Sequence, residues 1–172
     1  DQTDSLLEVQ ELYASTLGLK DKAADLRALA KRMAAGDPTG AAELDEQMTL
    51  MTDTANAAVE EVRANASKYT AAQKQKLAEG QKQHAQAIRN MWGGVVGIGM
   101  TLVKTTNAAP PSVSDIALFD TFKRITQVGP KALAFGETSE ATYREYASAF
   151  EYIGVATTPD LGLEALPSMG MG

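Results

Sequence analysis

The sequence contains no cysteine among its 172 residues, and its only histidine is His84. Without cysteine, the chain cannot form disulfides, iron–sulfur clusters, thiolate zinc sites or a cysteine nucleophile. One histidine cannot build the histidine-rich sites of most transition metals, and neither a Glu-x-x-His nor a Gly-x-Ser-x-Gly motif is present. We therefore predict a protein that is not an enzyme, with no catalytic residues, no cofactor and no bound metal.

An excess of positive charge is also missing. The formal net charge is −6, which argues against general nucleic-acid binding. Residues 63–89 are the exception, because they carry a single acidic residue, Glu79, beside six basic ones: Arg63, Lys68, Lys74, Lys76, Lys82 and Arg89. Pairing of these bases with acidic helices of the same bundle is the favoured interpretation, and contact with an anionic partner is the alternative.

Aromatic residues make up only 6% of the chain, and Ala, Leu, Met and Val dominate the apolar residues. Ala, Leu and Met lose little free energy on entering a helix. Near the N-terminus, Leu12, Leu19, Leu26 and Met33 recur every seven residues, as in helices packed in bundles. This spacing predicts one helix from Asp4 to Ala35, about 48 Å long.

The turn formers at positions 36–40 predict a tight connection to a second helix that begins near Ala41. So short a connection favours an antiparallel hairpin. Near residue 70 the seven-residue phase slips, and Thr70 and Gln73 fit a capping box, which predicts a bend or break there. One continuous helix over residues 66–108 is the alternative.

Further along, a capping box at Ser112–Asp115 predicts a helix that Gly129-Pro130 ends, followed by a short turn over 131–135. A last helix is predicted from Thr138 to Ile153, with Gly154 as its stop. We thus predict an all-α fold: an elongated antiparallel helical bundle with a long N-terminal helical hairpin and shorter C-terminal helices. It forms a single domain over 1–172, with its core in 4–154 and a docked or frayed tail in 155–172.

The most unusual stretch is the glycine-rich segment 92–103, which we predict to be a buried helix. It lacks the Gly-Lys-Ser/Thr ending of a phosphate-binding loop and follows a helix instead of a strand. Gly93 and Gly97 form Gly-x-x-x-Gly, which lets helices approach closely. Three interpretations compete: packing inside the bundle, a partner interface with Trp92 as anchor, and a membrane-inserting segment. The uncharged, mainly apolar run from Met91 to Val103 is 13 residues long, too short to cross a bilayer.

The leading functional hypothesis is a non-enzymatic helical assembly module that binds itself or a protein partner. Partner contact is predicted for Trp92, Gly93, Gly97, Lys74, Lys76, Lys82 and Arg89. A membrane-active protein that uses segment 92–103 is the first alternative. The second is a small-ligand binder or enzyme with a pocket lined by Tyr143, Tyr146, Phe119, Phe122 and His84. The polar start Asp1-Gln2-Thr3 favours a processed chain, hence a periplasmic or secreted protein.

Overall fold

The computed structural model describes residues 2–35, 41–107, 116–157 and 161, with side chains at 6–35, 42–93, 130–157 and 161. Helices fill almost all of these ranges, and no strand occurs in them, so the predicted all-α class is confirmed. The elements, in chain order, are α1 (Gln2–Leu17), α2 (Lys20–Ala35), α3 (Ala41–Ala64), a 3-10 turn (Ala66–Lys68), α4 (Ala71–Asn107) and α5 (Ile116–Tyr152).

The N-terminal segment is a hairpin of two helices, so the prediction of one helix from Asp4 to Ala35 is wrong. Gly18 has a φ of +84°, and the Leu19 N–H donates to the Ala14 carbonyl at 2.8 Å. This is the Schellman arrangement that ends many helices. The chain then folds back, because Nε of Arg27 in α2 donates to the Glu11 carboxylate of α1 at 3.0 Å. The seven-residue repeat therefore spans two antiparallel helices.

Replacement of Gly18 by alanine tests this turn. An alanine at φ +84° meets the steric penalty of the left-handed region, so we expect Gly18→Ala to lower the free energy of unfolding by about 1–2 kcal/mol. Gly18→Asn is the matched control, because asparagine tolerates that region better, and it should lose less. Urea denaturation monitored by circular dichroism measures both; equal stability of the alanine variant and the parent would contradict the hairpin.

The predicted break near residue 70 is confirmed, and the alternative of one helix over 66–108 is wrong. The Thr70 N–H donates to Gln73 Oε1 at 2.9 Å, and the Gln73 N–H donates to Thr70 Oγ1 at 3.2 Å. These reciprocal bonds form the predicted capping box. Gln73 Nε2 also donates to the Thr16 carbonyl at 3.1 Å, which ties the start of α4 to the end of α1.

Helix α5 runs through Pro130 without ending, so the predicted separate short helices after residue 112 are wrong. Proline removes one helical hydrogen bond, a loss of about 3 kcal/mol that packing must offset. Buried side chains follow it closely, beginning with Phe135. Gly154, with φ +76°, ends the helix as predicted, since the Val155 N–H donates to the Phe150 carbonyl at 2.9 Å. The capping box at Ser112–Asp115 lies outside the described residues.

Four helices form a ring in which α1 neighbours α4, α4 neighbours α5, α5 neighbours α3, and α3 neighbours α1. Helix α2 packs against α1 and α3. Small and large apolar side chains fill the interior in two clusters, one that includes Leu26, Met51 and Ile88 and one that includes Leu17, Val62 and Phe150. Beyond α5, Leu161 is buried in the first of these clusters. The ring brings side chains of α1, α4 and α5 together at its centre.

Candidate functional site

The predicted anchor Trp92 is packed within its own chain. A Cβ placed on Gly136 of α5 would lie 3.0 Å from two carbons of the indole ring, so the ring rests on the backbone of α5. Gly93 is exposed, and a Cβ there would meet nothing within 4 Å. The backbone at Gly97 is helical, within α4. Of this trio, Trp92 belongs to the bundle, whereas Gly93 lies on its surface.

The four predicted basic contacts lie along the first half of α4. Lys76 and Lys82 are exposed, and Lys74 and Arg89 are half-buried. Among the described side chains, ion pairs join Arg27 to Glu11, Arg32 to Glu46, Lys131 to Asp45, and Arg144 to Glu140. None of these pairs includes the four bases of α4. The described side chains therefore show no ion pair between these bases and an acidic helix of the same bundle.

The contacts of α1 show how far it covers α4. Thr16 contacts Gln73, and farther toward the N-terminus Tyr13 packs against His84, so the two helices run in opposite directions. Continued at the same rise per residue, this register places Gln2, the first residue of α1, near residue 93 of α4. Helix α4 continues to Asn107, about 20 Å farther.

The start of α3 can be placed against α5 in the same way. Helix α5 runs opposite to α4, because Trp92 meets Gly136 while His84 meets Tyr143. The hairpins place α3 parallel to α5, and the ion pair of Asp45 with Lys131 sets Ala41 near residue 127 of α5. Residues 94–107 of α4 therefore lie beyond the level that α1 reaches, and residues 116–126 of α5 lie beyond the level that α3 reaches. We call these two segments the α4–α5 extension.

The α4 part of the extension is apolar on every side. Residues 94–103 contain no charged side chain, and in a helix ten consecutive positions cover the whole circumference. A helix that is apolar all round is ordinarily buried. Only four charged residues occur in the extension, namely Lys104, Asp120, Lys123 and Arg124. Among the described residues, no helix has a stretch long and apolar enough to pass through a membrane.

A cleft of about 540 Å³ opens between α2 and α3, and four of its eight lining residues are acidic: Asp25, Asp45, Glu46 and Asp53. Two of these carboxylates are paired, Asp45 with Lys131 and Glu46 with Arg32. No group of three or more carboxylate or histidine side chains with the geometry of a metal site occurs in the described ranges. The cleft therefore gives no support for a metal centre.

At the centre of the ring lies a cluster of buried polar and aromatic side chains, which we call the polar core: Gln10, Tyr13, Gln81, His84, Tyr143 and Tyr146. The His84 ring is wholly buried, with its centroid 5.8 Å from that of Tyr13 and 5.2 Å from that of Tyr143. Tyr13 and Tyr146 are closer still, with centroids 4.6 Å apart. Aromatic rings of α1 and α5 thus enclose the one imidazole of the chain.

Few polar atoms of the polar core are paired. The Tyr146 hydroxyl donates to Gln10 Oε1 at 3.4 Å. Both ring nitrogens of His84, both amide atoms of Gln81 and Nε2 of Gln10 have no hydrogen-bond partner among the described residues. The Gln81 side chain interacts with the Tyr13 hydroxyl strongly enough to oppose the rise in the Tyr13 pKa, but the two groups lack the geometry of a full hydrogen bond.

Burial sets the protonation of these groups. It lowers the pKa of His84 from 6.5 to about 3, because the imidazolium would lose its hydration. It raises the pKa of Tyr13 and that of Tyr146, since a phenolate is also charged; other tyrosines raise the Tyr13 pKa further, and Glu145 raises that of Tyr146. The polar core is therefore neutral near pH 7.

The structure brings together three of the five residues predicted to line a pocket, His84, Tyr143 and Tyr146, while the side chains of Phe119 and Phe122 lie outside the described ones. Sequence reasoning missed Gln10, Tyr13 and Gln81. Their signal was present, since Gln10 and Tyr13, like Gln81 and His84, are three residues apart and share a helix face. No protein-family model matches this chain, and no significantly similar curated protein or solved structure was found.

Proposed function

We propose that this protein is a helical assembly module in which two copies associate through the α4–α5 extension. The observation that carries the proposal is the register of α4: its segment 94–103 is apolar on all sides and lies beyond the level that α1 reaches. One neighbouring helix covers about a third of a helix circumference. The remaining apolar surface needs a further cover.

Burial of this apolar surface provides enough free energy for two copies to associate. Six apolar side chains in the segment would each contribute about 1.5–3 kcal/mol on full burial: Val95, Val96, Ile98, Met100, Leu102 and Val103. Association needs only part of this sum from each copy, since both copies contribute to the contact. Association of two proteins loses about 4–15 kcal/mol of translational, rotational and ordering free energy. The balance favours a stable contact.

A second copy is the partner that fits the geometry. The extension consists of two helices, and two extensions together supply the four helices of a closed bundle, the arrangement that the rest of the chain already adopts. Gly94 and Gly97 remove side-chain bulk on α4, which allows helices to approach closely. Membrane contact, the runner-up, would cover the same apolar surface with lipid.

Light scattering on the purified chain measures the assembly directly. We expect a particle of twice the 18.2-kDa chain mass. Gly97→Leu should yield a folded particle of single mass, because the larger side chain prevents close approach of the copies. Ala72→Leu is the matched control. Ala72 is exposed at the far end of α4, and the variant should keep a particle mass of twice the chain mass.

Other outcomes overturn the proposal. A parent chain of single mass at all concentrations would contradict it, and if that chain also bound phosphatidylcholine–phosphatidylglycerol vesicles, the membrane alternative would replace it. If Gly97→Leu loses helical content, Gly97 packs inside the chain. A second variant, Ile98→Lys, then tests whether the extension is the interface. Retention of the double mass by a folded Ile98→Lys variant would exclude the extension as the interface.

A further inference from the structure

The polar core contains more unpaired hydrogen-bonding groups than a stable interior tolerates. Five atoms on three side chains lack a partner within the described ranges: Nδ1 and Nε2 of His84, Nε2 and Oε1 of Gln81, and Nε2 of Gln10. All three residues have no exposed surface. The Tyr13 hydroxyl, whose approach to Gln81 lacks hydrogen-bond geometry, lies in the same cluster.

The size of the penalty makes these atoms informative. Each buried polar group without a partner destabilises a protein by about 1–3 kcal/mol. Five such groups would together approach the whole stability of a typical domain, about 5–15 kcal/mol. Apolar residues at these positions would avoid the penalty. The polar side chains are therefore best explained by a ligand that completes their hydrogen bonds.

We propose that the polar core is a binding site for a small neutral ligand that both donates and accepts hydrogen bonds, either a cluster of water molecules or a small molecule with hydroxyl or amide groups. The Gln81 amide requires both an acceptor and a donor, and so does a neutral imidazole. The Gln10 amide nitrogen requires an acceptor, since its oxygen already accepts from Tyr146.

The surroundings determine the charge and shape of the ligand. No Asp, Glu, Lys or Arg belongs to the buried residues of the described ranges, so a charged ligand would find no counter-charge in the polar core. The walls are flat, because the rings of Tyr13, Tyr143 and Tyr146 surround the His84 imidazole. Water and small planar amides have the neutral charge and the paired donors and acceptors that these groups require.

The site and the proposed assembly are independent. The polar core lies where α1, α4 and α5 meet, and His84 is nearly three turns before the start of the extension on α4. Loss of one would leave the other intact. A ligand in the polar core would act as a structural component or as a regulator of bundle stability.

Nuclear magnetic resonance of the full chain, with ¹⁵N-labelled histidine, tests the site, because His84 gives the only imidazole signals. We expect either persistent nuclear Overhauser effects between the His84 ring and water, or an added mass in native mass spectrometry from a retained small molecule. Titration with acetamide should shift the His84 signals and saturate, whereas sodium acetate and methylammonium chloride at equal concentration should not. Loss of the water signals on acetamide binding would show that both occupy one site.

The variant Gln81→Leu removes two of the unpaired atoms and should raise the acetamide Kd about tenfold or more, while the chain stays folded. Lys82→Leu is the matched control, since Lys82 is the exposed neighbour on α4, and its Kd should be unchanged. If Gln81→Leu does not fold, Gln10→Leu takes its place. The absence of water contacts, of retained mass and of an acetamide response would together overturn the proposal, as would a saturating response to acetate.

Discussion

Lowering the pH from 7 to 5 should reduce the free energy of unfolding by about 2 kcal/mol through His84 alone. Burial lowers the pKa of His84 in the folded protein to about 3, whereas in the unfolded chain it returns to about 6.5. Between these two values the unfolded chain binds a proton that the folded protein does not. Stability from His84 is therefore fully present above pH 6.5 and decreases as the pH falls toward 3.

The contacts of His84 explain why the folded protein excludes that proton. The described groups that face the imidazole are the phenol rings of Tyr13 from α1 and of Tyr143 and Tyr146 from α5. None of them is negatively charged in acid, because tyrosine titrates near pH 10 or above. Without a carboxylate in contact, an imidazolium would be buried without compensation.

The variant His84→Phe isolates this contribution. Phenylalanine keeps a ring among the three tyrosines but cannot bind a proton, so its stability should change by well under 1 kcal/mol between pH 7 and 5. The titratable groups that parent and variant share affect both chains alike, so the difference between the two losses belongs to His84. Urea denaturation at the two pH values gives both numbers. Equal losses in parent and variant would show that His84 is hydrated in the folded protein.

How much of the fold was accessible from sequence depended on how local the determining contacts are. The break near residue 70 was predicted correctly because Thr70 and Gln73 bond each other within one turn. The hairpin at Gly18 was missed, since a seven-residue repeat continues across a tight turn whenever both helices present the same face to one core. Gly18, between Leu17 and Leu19, is the local signal for a helix end, and the repeat that continues past it hides that signal.

Helix α5 shows the opposite error. Gly129-Pro130 is a strong local stop, yet the helix continues, because buried side chains on the following turns favour it. That preference comes from α3 and α4, which are distant in sequence. The polar core has the same origin: Gln10 and Tyr146 are bonded across 136 positions, and no spacing rule connects them.

Helix α4 packs closely against α1 at Gly80, and replacement of Gly80 by alanine should destabilise the protein by about 1–3 kcal/mol. A Cβ at this position would lie 2.5 Å from Cε1 of Tyr13 and 3.2 Å from Cδ2 of Leu12. The Tyr13 ring has no exposed surface and is held by Tyr146 and Phe150, with centroids at 4.6 and 5.0 Å. A shift of the ring away from a new methyl group would therefore disturb both of these ring contacts.

The sign of this prediction separates packing from helix propensity. Glycine is about 1 kcal/mol less favourable than alanine inside a helix, so Gly→Ala stabilises where space is free. Gly93 on the same helix meets that condition, because a Cβ there touches nothing within 4 Å. We expect Gly93→Ala to gain about 0.5–1 kcal/mol and Gly80→Ala to lose stability, measured by urea denaturation at a concentration where each chain is one species.

A double-mutant cycle identifies the cause of the loss. In a Tyr13→Leu background the ring that opposes the new methyl group is absent, so the further loss caused by Gly80→Ala should shrink by more than 1 kcal/mol. An unchanged loss in that background would attribute the effect to Leu12 or to the α4 backbone instead of Tyr13. A gain in stability for Gly80→Ala in the parent would mean that α1 and α4 lie farther apart, and the ring of helices around the polar core would then be incorrect.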